Sequence, residues 1–440
     1  MLKLLKKEFE SVLDLEKWKK FLLSGDFLSF EESLYQMSLD LYNKISEHLI
    51  ESISTEESFL KEQRKLAKSK GLKKLQLRPC TLYLRTGYKV RVDSYYGRKC
   101  EKDYKGSRHC LLLFWNFRAN ASPMFQSITT LLSVLCPSYD IAKWLLSYQG
   151  VICNFDRVRK TSLALSSEVQ EHRVEAQLVE NETLSGQRVV IGIDGGRCRT
   201  KEYLEETTAK GNPKFKTDWK EPKMFVIDII DSKGNRKKDH LPIYDSTFGD
   251  DESFDLLAQY LSALQIQDCK EVQFVADGAK WIWNRVKPML LGLGVSPDKI
   301  TETLDYYHAS QNLHKLKEYI DTKEKDAVFE KMKDALWQGD VEQLGEIIKE
   351  SISNVKLEDF TPFQYFKNNE KRVDYQRFRS KNLLCGSGIV ESGIRRIINL
   401  RFKSPSTFWY PENVEKLILM RSIALSGRWE IMIENINKST

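Results

Sequence analysis

The chain has 440 residues, of which 41% are hydrophobic, 11% aromatic and 30% charged, the make-up of an ordinary globular protein and not of a disordered, collagen-like or disulfide-stapled one. Its 69 lysines and arginines against 62 acidic residues leave a formal charge of +7, which suits an anionic partner and equally suits plain solubility. No apolar run reaches the ~20 residues of a membrane span, and the N-terminal MLKLLKKEFE mixes charge into its apolar positions, so a soluble cytoplasmic protein with no membrane partner is expected.

Residues 1–78 read as a helical N-terminal region, with apolar positions at helical spacing through LSFEESLYQMSLDLYNKISEHLIESI. Its end, Lys61 to Arg78, sets eight cations against the single acid Glu62: a phosphate-contacting segment, or a solvated helix surface. At 79–126 the character changes to a small β-rich segment. TLYLRTGYKVRVDSYYGRK and RHCLLLFWNF are rich in β-branched and aromatic residues, interrupted by Gly87, Gly97 and Gly106, which predicts a small antiparallel sheet. Residues 127–185 return to helix. There SYDIAKWLLSYQ, a break at Gly150, and NFDRVRKTSLALSSEVQ with Asn154 as N-cap fit a helix-turn-helix-like DNA-binding region offering Arg157, Arg159 and Lys160 to a duplex. An αα-hairpin with no nucleic acid gives the same pattern.

From 186 to 300 the pattern is mixed. RVVIGIDGGR, EPKMFVIDIIDSKGN and LPIYDSTFG are short apolar strands, SFDLLAQYLSALQIQ is helical, and KEVQFVADGAKWIWNRV opens with a further strand. A three-strand meander, a helix and a strand follow one another in the order of a ribonuclease H core. Residues 301–380 read as a helical insertion, and 381–440 as the end of the core with basic C-terminal helices. The expected fold class is α/β: a ribonuclease H-like catalytic core with a helical insertion, preceded by the helical region, the β-rich segment and the helix-turn-helix.

Two carboxylates stand at strand ends, Asp194 in VVIGIDGG and Asp277 in VQFVADGAKW. Each has an apolar strand as a rigid mount and a glycine behind it, which admits a tight turn or a close ligand. Asp-Gly is also the commonest tight-turn dipeptide, so either alone says little. Glu391 is a third, in the first turns of a helix that starts after Gly386-Ser387-Gly388. Three carboxylates meeting at one point repel unless cations lie between them. Mg2+ fits, because it prefers carboxylate oxygen and keeps positions for water and phosphate, and a pair of such ions ~4 Å apart serves in-line displacement at phosphorus.

Together IGIDGGR, the W-x-E-P-K of Trp219 to Lys223, VADGAKWIW, DYYHASQNL and GSGIVESGIRRIINLRFKSPSTFW resemble DDE transposases of bacterial insertion sequences, above all those of the ISKra type. The resemblance runs over about residues 187–422. It implies that Asp194, Asp277 and Glu391 bind Mg2+, with Mn2+ able to substitute and no nucleotide cofactor, and that they cut and join double-stranded DNA at the terminal inverted repeats of a mobile element and in target DNA. It also implies a homodimer or higher assembly on DNA and a nucleoid-associated location. Many relatives carry a zinc-ribbon cluster in the N-terminal β region. Here only Cys100 and Cys110 lie near, beside His109, and 8 scattered cysteines offer no four tetrahedral ligands, so no structural zinc is expected.

His308, in Asp305-Tyr306-Tyr307-His308, resembles the D-x-x-H element that several transposase families hold near their carboxylates; Asp305 is equally readable as a helix N-cap with His308 one turn on. Arg197 and Lys201 after the first Asp, and Lys280 after the second, stand where a phosphate backbone would run, or are solvated loop charge. Between Lys371 and Arg421 eleven basic residues, among them Arg395, Arg396, Arg401 and Lys403, face four acidic ones. Phe402, Phe408, Trp409 and Tyr410 are interleaved, a mixture that grips a backbone and stacks on unpaired bases, or packs a core. The expected function is a DDE transposase. A ribonuclease H-like nuclease without strand transfer and a domesticated transposase-derived DNA-binding protein are the alternatives.

Overall fold

Asp14 and Asp26 open two N-terminal helices by accepting the backbone N–H groups of Glu16 and Ser29, giving α1 (Leu15–Ser24) and α2 (Phe27–Ser54), and α3 (Glu57–Ser69) follows. The structure is a computed structural model that describes residues 6, 9–10, 14–101, 104–208, 210–353, 356–404 and 407–438. The chain forms two bodies, residues 1–171 with 433–440, and residues 172–432.

In the first body β1 (Lys73–Tyr83), β2 (Lys89–Glu101) and β3 (Tyr104–His109) form an antiparallel sheet in that order, so the run from Lys61 to Arg78 is helix only as far as Ser69. CLLLF, expected as strand, is instead the short helix α4 (Cys110–Phe114), started where Leu111 N–H leaves the ladder to bond Ser94 Oγ at 3.1 Å. Burial pushes the Cys110 thiol up to about 11, and His109 lies against the Tyr96 ring at 4.9 Å. The Cys100 side chain lies outside the described residues. Three helices, α5 (Pro123–Leu135), α6 (Tyr139–Tyr148) and α7 (Phe155–Glu171), pack around Phe125, Leu146 and Val158.

Asn154 caps α7, accepting from Arg157 N–H at 2.8 Å. The link between α6 and α7, residues 149–154, is longer than the three- or four-residue turn of a helix-turn-helix. Arg157 is used inside this body: its guanidinium lies 3.6 Å from the centre of the Tyr83 ring and donates to Ala119 O at 2.7 Å. Arg159 is half-buried and Lys160 is exposed.

The second body starts at His172, so α8 (Arg173–Gln177) and the residues up to 185, grouped by sequence with the helix-turn-helix, belong with the sheet. The strands are β4 (Arg188–Gly195), β5 (Cys198–Thr207), β6 (Pro213–Lys220), β7 (Pro222–Ile230) and β8 (Ile243–Phe248). After α9 (Asp250–Ala263) come β9 (Glu271–Ala276), α10 (Lys280–Gly292) and β10 (Ile300–Leu304). Five of them make one sheet in the order β10-β9-β4-β7-β8, with β4, β9 and β10 parallel and β7 antiparallel to both its neighbours. Ile191, Phe225, Ile227, Phe274 and Val275 bury it on the helices.

Two features differ from the sequence reading. The meander is interrupted, because β5 and β6 form a hairpin between its first and second strands that pairs with none of the five strands of the sheet. Residues 301–304, assigned by sequence to the helical insertion, form with Ile300 the fifth strand; five residues are too short for their alternation to be read. The helices that follow are α11 (Tyr306–Lys317), α12 (Lys325–Gln338), α13 (Val341–Ser351), α14 (Thr361–Asn368) and α15 (Tyr375–Ser380). Next, α16 (Gly388–Ile394) passes through a π-helical turn, Arg395–Asn399, into α17 (Leu400–Phe402), and α18 (Pro411–Ser426) is followed by α19 (Trp429–Lys438), whose residues from Ile433 belong to the first body. Among the described residues no helix is long and apolar enough to cross a membrane.

Candidate active site

Parallel pairing aligns the strand ends. Gly192 lies opposite Val275 and Ala276 opposite Leu304, so continuing the register by one or two residues brings Asp194, Asp277 and Asp305 to one level on three adjacent strands. Their roles diverge from there. Asp305 is 1% exposed and both its oxygens are taken: Oδ1 caps α11 by accepting His308 N–H at 2.9 Å, and Oδ2 accepts Ser387 N–H at 2.6 Å and the Ser387 hydroxyl. Burial alone would raise its pKa, but the neighbouring His308 imidazole, followed by these donors, holds the carboxyl down at about 2.

Through Ser387, Asp305 fixes the Gly386–Gly388 turn. Gln273 fixes the residues before it, donating to Leu384 O at 2.7 Å and accepting from Leu384 N–H at 2.9 Å. Glu391 on α16 is thereby brought over the strand ends, and α16 rests on β4 and β7. Gly192 permits this approach, since a Cβ there would lie 3.2 Å from Val390. The glycine after Asp277 has a different cause: the Tyr365 ring fills the space that a side chain at Gly278 would need.

Asp194 is half-buried and accepts only its neighbour's N–H, from Gly195 at 2.6 Å; Asp277 accepts from Ala279 N–H at 2.9 Å. Burial, with the charges of Asp277 and Glu391 added, pushes the Asp194 carboxyl up to about 6. Among the described residues no lysine or arginine forms an ion pair with Asp194, Asp277 or Glu391. The one cationic group nearby is His308, whose Nδ1 lies 3.7 Å from Asp305 Oδ1 and 3.9 Å from Glu391 Oε1, too far to hydrogen-bond either. Asp305 raises its pKa most, burial opposes, and the charges of Asp277 and Asp194 reinforce the rise. Ligand atoms of Asp305, His308 and Glu391 lie within 4.8 Å of one another, close enough to hold an ion.

The cations expected around this site separate into two kinds. Arg197, Lys280, Arg395 and Lys403 are exposed. Arg396 is half-buried and donates to Ser392 O at 3.3 Å. Arg401 is no surface contact, contrary to expectation: it is 4% exposed, with its guanidinium 4.7 Å from the Trp409 ring. Arg372, Arg379 and Arg421 are likewise spent inside, on Glu302, on the Trp337 ring and carbonyl, and on Arg396 O. Much of the basic excess between Lys371 and Arg421 therefore holds the fold. Trp283 is structural too, donating from Nε1 to Asp277 O at 2.7 Å.

Ser387, Gln273 and Tyr365 belong to this neighbourhood and were not legible in the sequence. Burial, then the charge of Asp277, pushes the Tyr365 hydroxyl up to about 12. The only signal was the Gly-Ser-Gly turn itself, which marks a tight bend but not its partner 82 residues earlier.

No protein-family model matches this chain, and no curated protein matches it. Among solved structures it is similar to the Drosophila P element transposase strand transfer complex, with a TM-score of 0.30 and 13% sequence identity over 74% of this chain and 84% of that one. A likeness of this degree defines neither family nor fold, and the functional reading stands on the site.

Proposed function

We propose that the second body is a ribonuclease H-like nuclease of the DDE transposase class, cutting DNA at the ends of a mobile element and joining the freed ends to target DNA. The strand order supports the fold: counted along the chain without the hairpin, the sheet runs 3-2-1-4-5, with the second strand antiparallel and the last two parallel to the first. What supports the function most is that the buried Asp194 carboxyl lies close enough to Asp277 and Glu391 to feel both their charges, while among the described residues no arginine or lysine pairs with any of the three.

That donor set fits Mg2+, or Mn2+ in its place: hard oxygens, one of which burial and its acidic neighbours make reluctant to ionise, with His308 at the margin. Asp194, Asp277 and Glu391 would hold the ion. Asp305, despite its closeness to His308 and Glu391, is a positioning residue, because its oxygens are already bonded. When bound, such an ion neutralises charge developing at phosphorus and makes water a better nucleophile at neutral pH.

The chain's own residues do the rest. Asp305 and Gln273 pin the turn that aims Glu391. His308 Nδ1 stands between Glu391 and Asp305, where an imidazole can hold a proton and limit their repulsion. Arg197, Lys280, Arg395 and Lys403 are placed for backbone phosphates, with no sequence read-out implied. Arg159 and Lys160 in the first body remain candidates for duplex contact. Cleavage and joining are two successive in-line displacements at phosphorus, so no covalent protein intermediate is required, and a multimer on DNA brings two ends together.

The test is cleavage and strand transfer on DNA carrying the repeats that flank the reading frame, with Mg2+ or with EDTA, comparing the native chain with Glu391→Ala. Metal-dependent nicking at the repeat ends that disappears in the variant is expected. Equal cutting by both proteins would overturn the site. Cutting without joining of a pre-cut end would leave the nuclease alternative, and binding without cutting by the native chain the domesticated one.

A further inference from the structure

The hairpin of β5 and β6 begins at Cys198, four residues beyond Asp194, and adds nothing to the five strands of the sheet. Its register sets Arg199 opposite Trp219, Lys201 opposite Thr217 and Tyr203 opposite Phe215, so these six share one face. The opposite face carries the charge pairs: Lys216 and Lys220 meet Glu202 at 3.1 and 3.4 Å.

The first face is built differently. Tyr203, Phe215 and Trp219 are 51%, 45% and 50% exposed, although large rings are normally drawn into a core. A second segment extends the face, as Trp409 N–H donates to Arg199 O at 3.0 Å and Lys201 N–H to Trp409 O at 2.8 Å, which sets Phe408 and Tyr410 beside the hairpin rings. The Lys201 ammonium lies 5.0, 5.3 and 5.6 Å from the rings of Tyr410, Tyr203 and Phe215, and the Arg199 guanidinium 4.7 Å from that of Phe408. Among the described residues neither cation is ion-paired with a carboxylate.

A duplex backbone calls for cations and has no use for exposed rings. A protein's apolar patch would have to strip water from two unpaired charges. Flat rings with cations set among them, on a strand-paired mount, match the π-faces of unpaired bases and the phosphates that join them. We infer that this face of the hairpin, with Phe408 and Tyr410, is a stacking platform for an unpaired DNA strand adjoining the Asp194 strand end. The inference deepens the nuclease reading, in which breaking a duplex leaves a single strand beside the carboxylates.

The experiment is fluorescence anisotropy of the full-length protein in EDTA, with labelled oligothymidylate and with a blunt duplex of the same length as probes. Phe215→Ser with Trp219→Ser is expected to weaken the single strand at least about tenfold and the duplex less than about twofold, while Phe215→Tyr with Trp219→Phe restores binding. Arg199→Gln with Lys201→Gln keeps every ring and is expected to flatten the single-strand salt dependence by about 1.4 in log–log slope, two phosphates' worth. Unchanged single-strand binding in the ring variant, or equal losses on both probes, overturns the proposal. So does an unchanged salt slope in the charge variant, even where the ring variant fails to fold.

The two readings fail separately. A native chain that cuts DNA but binds oligothymidylate no better than its ring variant sinks the platform and spares the nuclease. Ring-dependent binding in a chain that never cuts does the reverse.

Discussion

Asp228 and Asp245 are wholly buried on the five-stranded sheet, and each is met by an arginine, Arg236 and Arg173, while Glu182 receives two bonds from Arg428 at 2.7 and 2.9 Å. Asp194 and Asp277, at the ends of β4 and β9, accept only backbone N–H groups among the described residues, and Glu391 on α16 has the His308 imidazole 3.9 Å away. The outcome in charge is opposite. Burial works against Glu182, but the bonds from Arg428 and His240 outweigh it and hold the carboxyl at about 2; at Asp194 nothing outweighs it, and the carboxyl rises to about 6. One fold thus neutralises one set of acids internally and, among the described residues, gives the other no arginine or lysine partner, the contrast on which the proposed site rests.

The largest expected effect breaks the neutralised set. Arg428→Met strands Glu182 and empties the bonds to Gln177 O and Pro242 O, and should destabilise the protein by about 3–5 kcal/mol, read as a fall in the urea midpoint. Next is Ala at Asp194, Asp277 or Glu391, each expected to cut cleavage by at least about 10²-fold with duplex affinity within about twofold; full cleavage by any one would remove that residue from the site.

The third sharpens the contrast through pH. In EDTA the Asp194 carboxyl is raised above its unfolded value of 3.8, so its stabilising contribution is complete below that pH and is lost as pH rises through about 6. Asp194→Asn should therefore stabilise the metal-free protein by about 3 kcal/mol at pH 7 and by nothing near pH 3.5. Glu182 has the reverse sign: its pKa is depressed below 4.5, its contribution is present above that pH, and it is lost toward about 2. Glu182→Gln should cost stability at pH 7 and less on acidification. Parallel pH profiles for the two variants in thermal melts would end the comparison. The smallest effect is at Ser387→Ala, which frees Asp305 Oδ2 from a hydroxyl and should slow cleavage by about tenfold, on the order of 1.4 kcal/mol, while leaving duplex affinity unchanged.

What could be read in the sequence follows from what is local. Asp194 and Asp277 each close an apolar strand, and Glu391 follows a glycine turn, so their mounts are written in their own neighbourhoods. Asn154 capping α7 and the three-stranded sheet of the first body are likewise local in cause. The limit shows at Arg401, Arg421 and Arg157, which have the sequence appearance of surface cations and end against Trp409, Arg396 O and Tyr83. A charge run does not say which members the fold will spend on its own carbonyls and rings.

The sequence by itself determined the strand and helix types around the three acids and their order along the chain, because apolar period, glycine breaks and caps act within a few residues. Tertiary structure alone decided the rest: the parallel register that levels Asp194, Asp277 and Asp305, the choice of Asp305 as the anchor of Ser387, and the hairpin face that leaves Tyr203, Phe215 and Trp219 in water. Each of these is a partnership between residues brought together from different strands and turns, and a strand carries no mark of the register its neighbour will take.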